Sequence, residues 1–218
     1  MAPFIIIVAS GSKVLDSQIT SAFGLEYDFV FLTDKEITFD PTLELIRDQG
    51  REAKVFPIDS GDESSIQEAI ANVTTQLGDK HCAAAIFQMS SAERTPKDFL
   101  QQNLDDFRSE VVTPIQSAYV FAKATLPLLQ THDGTGAHPP TLLFSGPRGS
   151  SSPDNIHENA LVALSRSLAR EYGPKGVHVA HVKYKQDREV KTTEQAVVEA
   201  LWGLHVQPLS CFMNEIIL

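Results

Sequence analysis

The chain has 218 residues, enough for one domain with a substantial buried core. Its 18 Lys+Arg against 28 Asp+Glu leave a formal charge of −10, and no basic run is dense enough to follow a phosphate backbone, which argues against nucleic acid as a partner. The longest apolar runs, Phe4 to Ala9 and Ala83 to Phe87, fall far short of the roughly 20 residues of a membrane-spanning helix.

Short apolar runs alternate with longer segments of helical period, the pattern of βαβ units and a parallel sheet. The pattern predicts a strand at Phe4–Val8, a helix at Val14–Phe23, a strand at Tyr27–Leu32 and a helix at Pro41–Gln49. A strand at Ala53–Pro57, a helix at Ser64–Leu77 and a strand at Cys82–Gln88 follow. The second half reads as a long helix at Asp105–Leu129, a strand at Thr141–Ser145 and a helix at Pro153–Tyr172. It closes with a strand at Val177–Val182, a helix at Thr193–Val206 and a strand at Cys211–Leu218. The helix from Pro153 is the best marked: Ser152 can cap it, Pro153 suits its first turn, Leu161, Leu164 and Leu168 form one apolar stripe, and Gly173-Pro174 stops it.

Continuous apolar strands imply helices on both sheet faces. The expected class is therefore α/β: a single domain over residues 1–218, built as a doubly wound parallel sheet of about seven strands. Such a sheet binds ligands outside the carboxyl ends of its strands, so Ala9–Lys13, Thr33–Lys35, Asp59–Gly61, Met89–Arg94, Gly146–Ser152 and Lys183–Asp187 should face one crevice. The only cysteines are Cys82 and Cys211, and no basic segment leads into a signal-length apolar stretch, so a cytoplasmic location is expected.

Leu142-Leu143-Phe144-Ser145-Gly146, Ala160 to Glu171, and Gly173-Pro174-Lys175-Gly176-Val177-His178-Val179 resemble the short-chain dehydrogenase/reductase superfamily, and with the strand order the resemblance spans nearly the whole chain. It looks closest to a divergent microbial branch, in which Ser167 to Pro174 and Leu204 to Ser210 recur in similar form. The resemblance implies a Rossmann-type sheet, a nicotinamide cofactor at its carboxyl edge and an Asn, Ser, Tyr, Lys catalytic set. It also implies a trimmed chain, with a shortened loop before the helix at 153 and a nearly absent substrate lid at 183–192.

Carried over residue by residue, the resemblance leaves Gly11 alone of three loop glycines, with Leu15 at the last glycine's place. Asp34, 23 residues after Gly11, and Asp59 match an adenine-ribose and an adenine contact; as plain sequence they read equally well as turn and cap residues. The catalytic Asn, Ser, Tyr and Lys fall on Pro114, Gly146, Asp154 and Glu158. Hydride transfer to a carbonyl needs a proton donor and a cation that lowers its pKa, and two acids do not replace that pair.

Other crevice residues offer different chemistry. Asp154 and Glu158, four apart on a helix, would repel and split their pKa values into an acid and a base, although Asp154 also suits a helix N-terminus. His157 is either a core histidine or a base that titrates near neutrality. Arg148 can clamp an oxyanion or stand in solvent, and Tyr184 can donate a phenol or pack. His178 and His181, three apart on a strand, face opposite sides, and no metal is expected.

The sequence thus favours a cofactor-independent, non-redox enzyme of isomerase, cyclase or dehydratase type acting on a small-molecule substrate. A noncatalytic binding or scaffold protein ranks second and an NAD(P)-dependent oxidoreductase with an unorthodox site third. A homodimer through the helices at 105–129 and 153–172 is the expected assembly.

Overall fold

The computed structural model describes residues 2–9, 13–34, 40–89, 99–131, 136–148, 152–185 and 194–218; the side chains of residues 13, 14, 34, 40, 99 and 152–154 are outside the description. Strand β1 (Phe4–Val8) leads to helix α1 (Lys13–Phe23), β2 (Asp28–Asp34), α2 (Asp40–Asp48), β3 (Ala53–Ile58), α3 (Glu63–Leu77) and β4 (Cys82–Gln88). Next come α4 (Leu104–Phe107), α5 (Thr113–Gln130), β5 (Thr141–Pro147), α6 (Ser152–Tyr172), β6 (His178–Tyr184), α7 (Glu194–His205) and β7 (Glu215–Ile217). The strands form one sheet in the order β3-β2-β1-β4-β5-β6-β7, every neighbouring pair parallel. The single-domain α/β reading holds in this architecture.

Strand alternation splits the core in two. Phe4, Ile6 and Val8 of β1 join residues of α3, α5 and α6 on one face, while Ile5 and Ile7 join residues of α1, α2 and α7 on the other. All five residues of β1 are buried, because a central strand covered on both sides has no solvent face. Each fully buried Ile contributes about 1.5–3 kcal/mol of hydrophobic stabilisation.

Two predicted elements come out differently. The helix expected over 105–129 is divided into α4, a π-helical turn at Arg108–Val112 and α5. Pro114 is the physical reason: it has no N–H to give and its ring crowds the preceding turn, so the ladder widens there and the Thr113 hydroxyl donates to the Arg108 carbonyl. The last strand shrinks from the expected Cys211–Leu218 to three residues. Ahead of it, the polar groups of the chain are taken by other partners: His178 Nε2 lies 2.8 Å from the Met213 carbonyl, and the Met213 N–H donates to Gln207 Oε1.

At the amino edge of the sheet, the His205 ring bridges Thr141 Oγ1 and the Tyr27 hydroxyl, at 2.8 Å each. Burial lowers the His205 pKa to about 3, with the nearby His138 and His178 acting the same way. Burial, ahead of the neighbouring Glu26, raises the Tyr27 phenol. This polar network lies at the end of the sheet opposite the ligand-facing edge.

Candidate active site at the carboxyl edge of the sheet

The strand order reverses direction between β1 and β4, whose connections run to opposite sides, and a crevice opens at such a switch point. Gly11, the turn at Ser90 and Ser91, and residues 186–192 of the expected lid fall outside the described residues. The first two lid positions do not belong to a loop: Lys183 and Tyr184 complete β6.

The expected nucleotide contacts stand apart on two strand ends. Asp34 is the last residue of β2, in register with Ile58 of β3. Asp59 follows β3 and is exposed. Its Oδ1 accepts the Gly61 N–H at 2.9 Å, and its own N–H donates to Ser65 Oγ at 2.8 Å, so it serves as the turn that leads into α3. Leu15 is buried in the cluster with Ile5, Ile7 and Ile19, which puts its side chain against the sheet.

Beneath the switch point lies a polar group that pattern reading did not single out. Gln88 Nε2 donates to Asp16 Oδ1 at 3.3 Å, with both residues buried. Gln88 is in register with Ser145 of β5, and the buried Gln88 Oε1 and Ser145 Oγ have no hydrogen-bond partner among the described residues. A buried polar atom in that state calls for a water or a ligand group.

On the α6 face the structure brings together Gly146, Met89, Glu158 and Lys183. Gly146 is in register with Lys183, and a Cβ on Gly146 would meet Met89 Cε at 2.9 Å. Glu158, reaching down from α6, places Oε1 3.6 Å from Lys183 Nζ, and both side chains are nearly buried. Lys183 also binds Glu215 of β7 at 2.6 Å, and Arg166 of α6 binds the other oxygen of Glu215 at 2.6 Å. The hydrogen bond from Lys183, more than that from Arg166, holds the Glu215 carboxyl below its ordinary range. Alternating charges thus run from the crevice to the sheet edge.

The remaining candidates do not join this group as expected. His157 is buried one residue before Glu158. The Asp154 side chain is outside the description, which leaves its pairing with Glu158 open. Arg148 is exposed, and its backbone N–H donates to the Tyr184 carbonyl at 2.8 Å. Tyr184 packs in the cluster of the α1 and α7 face, opposite Lys183, and burial pushes its phenol up to about 12. Of the two readings of Tyr184, phenol donor or packing group, its place in this cluster fits the second, because adjacent strand residues point to opposite faces. Lys183 was hidden for the same reason: its role depends on α6 covering that face. Among the described residues, no group of three or more His, Cys, Asp or Glu could hold a metal ion.

Residues 22–185 match the family described as enoyl-(acyl carrier protein) reductase. The chain belongs to this family of short-chain dehydrogenases/reductases. No curated protein matches the sequence. Among solved structures, a short-chain dehydrogenase from Rhodopseudomonas palustris superposes with a TM-score of 0.81 at 19% identity, over 99% of this chain and 97% of that one. Acetoin dehydrogenase from Enterobacter cloacae gives 0.82 at 14% identity, over 100% and 94%. A metagenomic short-chain oxidoreductase in complex with NADP gives 0.78 at 14% identity, over 100% and 97%.

Family membership corrects two expectations. The cofactor-independent isomerase, cyclase or dehydratase, and the scaffold ranked behind it, give way because the matching family is one of reductases. The expectation of no cofactor falls with them. Among the described residues no helix is long and apolar enough to cross a membrane.

Proposed function

We propose that this short-chain dehydrogenase/reductase is an NAD(P)-dependent oxidoreductase acting on a small-molecule substrate. The match of residues 22–185 to a reductase family carries this reading. Among the described residues, Gln88 Oε1 and Ser145 Oγ at the ends of β4 and β5 are buried polar atoms without a hydrogen-bond partner, which supports a polar ligand at the carboxyl edge. Gly11 and the start of α1 would receive the pyrophosphate, Asp34 the adenine ribose and Asp59 the adenine. The nicotinamide, when bound, supplies hydride chemistry.

Glu158, His157 and Asp154 are the acid–base candidates on α6, and Arg148 is the candidate for a substrate oxyanion. Homodimerisation through α5 and α6 belongs to the same reading. An apolar groove of about 340 Å³ on these helices, lined by Val112, Ile115, Gln116, Tyr119 and Leu164, supports it. Free Cys82 and Cys211 suit a reducing, cytoplasmic setting.

Titration of the purified protein with NADPH and with NADH, followed by nucleotide fluorescence, tests the proposal. Saturable binding below millimolar nucleotide is expected, and no binding of either at millimolar concentration overturns it.

A further inference from the structure

Helix α1 starts with an anion of its own. Asp16 stands in the first turn, where a negative charge answers the positive end of the helix dipole, and it is only 2% exposed. Leu15 and Ile19 of the same helix are buried against the sheet, and Asp16 Oδ1 accepts Gln88 Nε2 from the end of β4 at 3.3 Å, so the carboxyl group is held between α1 and the switch point. The hydrogen bond does not require the charge: an asparagine oxygen would accept the same N–H. What the acid adds at this place is a negative field in a setting that water screens poorly.

The start of α1 is also where a dinucleotide would set its phosphates, drawn by the same helix dipole. A buried carboxylate in the first turn has already answered part of that dipole, and it repels a second anion brought beside it. We propose that Asp16 is a specificity-determining residue that weakens the hold of this helix end on phosphate groups, so that the chain takes a nucleotide chiefly through its uncharged parts. This rests on the nucleotide-dependent reading above.

Calorimetric titration with adenosine, ADP and NADPH separates the two ideas. Asp16→Asn, which keeps an acceptor for Gln88, is expected to tighten ADP and NADPH about tenfold and to leave adenosine unchanged. A gain confined to ligands that carry phosphate is an effect that structural damage does not produce. Unchanged or weaker ADP binding in folded Asp16→Asn, or an equal gain for adenosine, makes the carboxylate a plain helix-end charge and overturns the proposal while the oxidoreductase reading stands. A wild-type protein that binds neither NADPH nor NADH removes the functional reading itself. Should Asp16→Asn not fold, the wild-type protein decides the matter: ADP is expected to bind less than about tenfold tighter than adenosine, and a larger preference for ADP overturns the proposal.

Discussion

Met89, just past β4, fills the space that a side chain on Gly146 of β5 would need, with its Cε 2.9 Å and its Cβ 3.2 Å from the position of that missing Cβ. The contact sets the shape of the crevice floor, since Met89 is itself buried in the core cluster of the α6 face. A thioether methyl can swing aside; the Met89 Cβ, tied to the backbone, yields less.

Gly146→Ser should therefore destabilise the protein by about 1–2 kcal/mol, the usual scale for overpacking. Met89→Ala alone removes buried volume and should cost about 2–4 kcal/mol. In the double variant the serine enters the vacated space, so the combined loss should fall below the sum of the two by about 1 kcal/mol. Urea unfolding of the four proteins measures this, and strict additivity would show that Met89 does not oppose a side chain at Gly146.

Lys80 ties three strands together at the amino edge. Its amine binds Asp28 of β2 at 2.9 Å and Glu52, just ahead of β3, at 3.0 Å, and it follows α3 on the way into β4. The Asp28 side chain is only 9% exposed, so Lys80→Met would strand a buried carboxylate whose other oxygen accepts the Glu52 N–H. A loss of about 2–4 kcal/mol is expected. Glu52→Gln, at an exposed position, should cost less than about 1 kcal/mol. Thermal unfolding of both variants at neutral pH checks the order, and a larger loss for Glu52→Gln would reverse the assignment.

Strands and their covering helices were legible because burial on both faces writes itself as uninterrupted apolar runs, as in Phe4 to Val8 and Cys82 to Phe87. The family resemblance was legible at Leu142 to Gly146 and Ala160 to Glu171, where β5 and α6 stand. The expectation of non-redox chemistry rested on single positions such as Pro114 and Glu158, and the match of residues 22–185 to a reductase family overturns it. Lys183 could not be placed from the strand pattern: it is the immediate neighbour of Tyr184, and only the packing of α6 and β7 gives one a charged partner and the other an apolar one. The break at Pro114 could have been foreseen, since proline inside a helical pattern disturbs the turn before it.

His205 makes the stability of the fold depend on acid. Its ring is buried between Thr141 and Tyr27, and burial holds its pKa near about 3, against 6.5 for an unperturbed histidine. With the folded pKa lowered, the unfolded chain binds more protons between those values. The stability contributed by the neutral ring is therefore complete above about pH 6.5 and is lost as pH falls toward the folded pKa. His181, lowered to about 4 chiefly by burial, titrates in the same window, so a wild-type profile alone would mix the two. The difference between wild type and His205→Gln isolates His205. That variant should be less stable than wild type at pH 7.5, because it disturbs both hydrogen bonds, and its deficit should narrow by about 2 kcal/mol at pH 5. Urea unfolding at the two pH values measures the deficit, and a deficit that stays constant would mean that the His205 ring takes up its proton in the folded chain as readily as in the unfolded one.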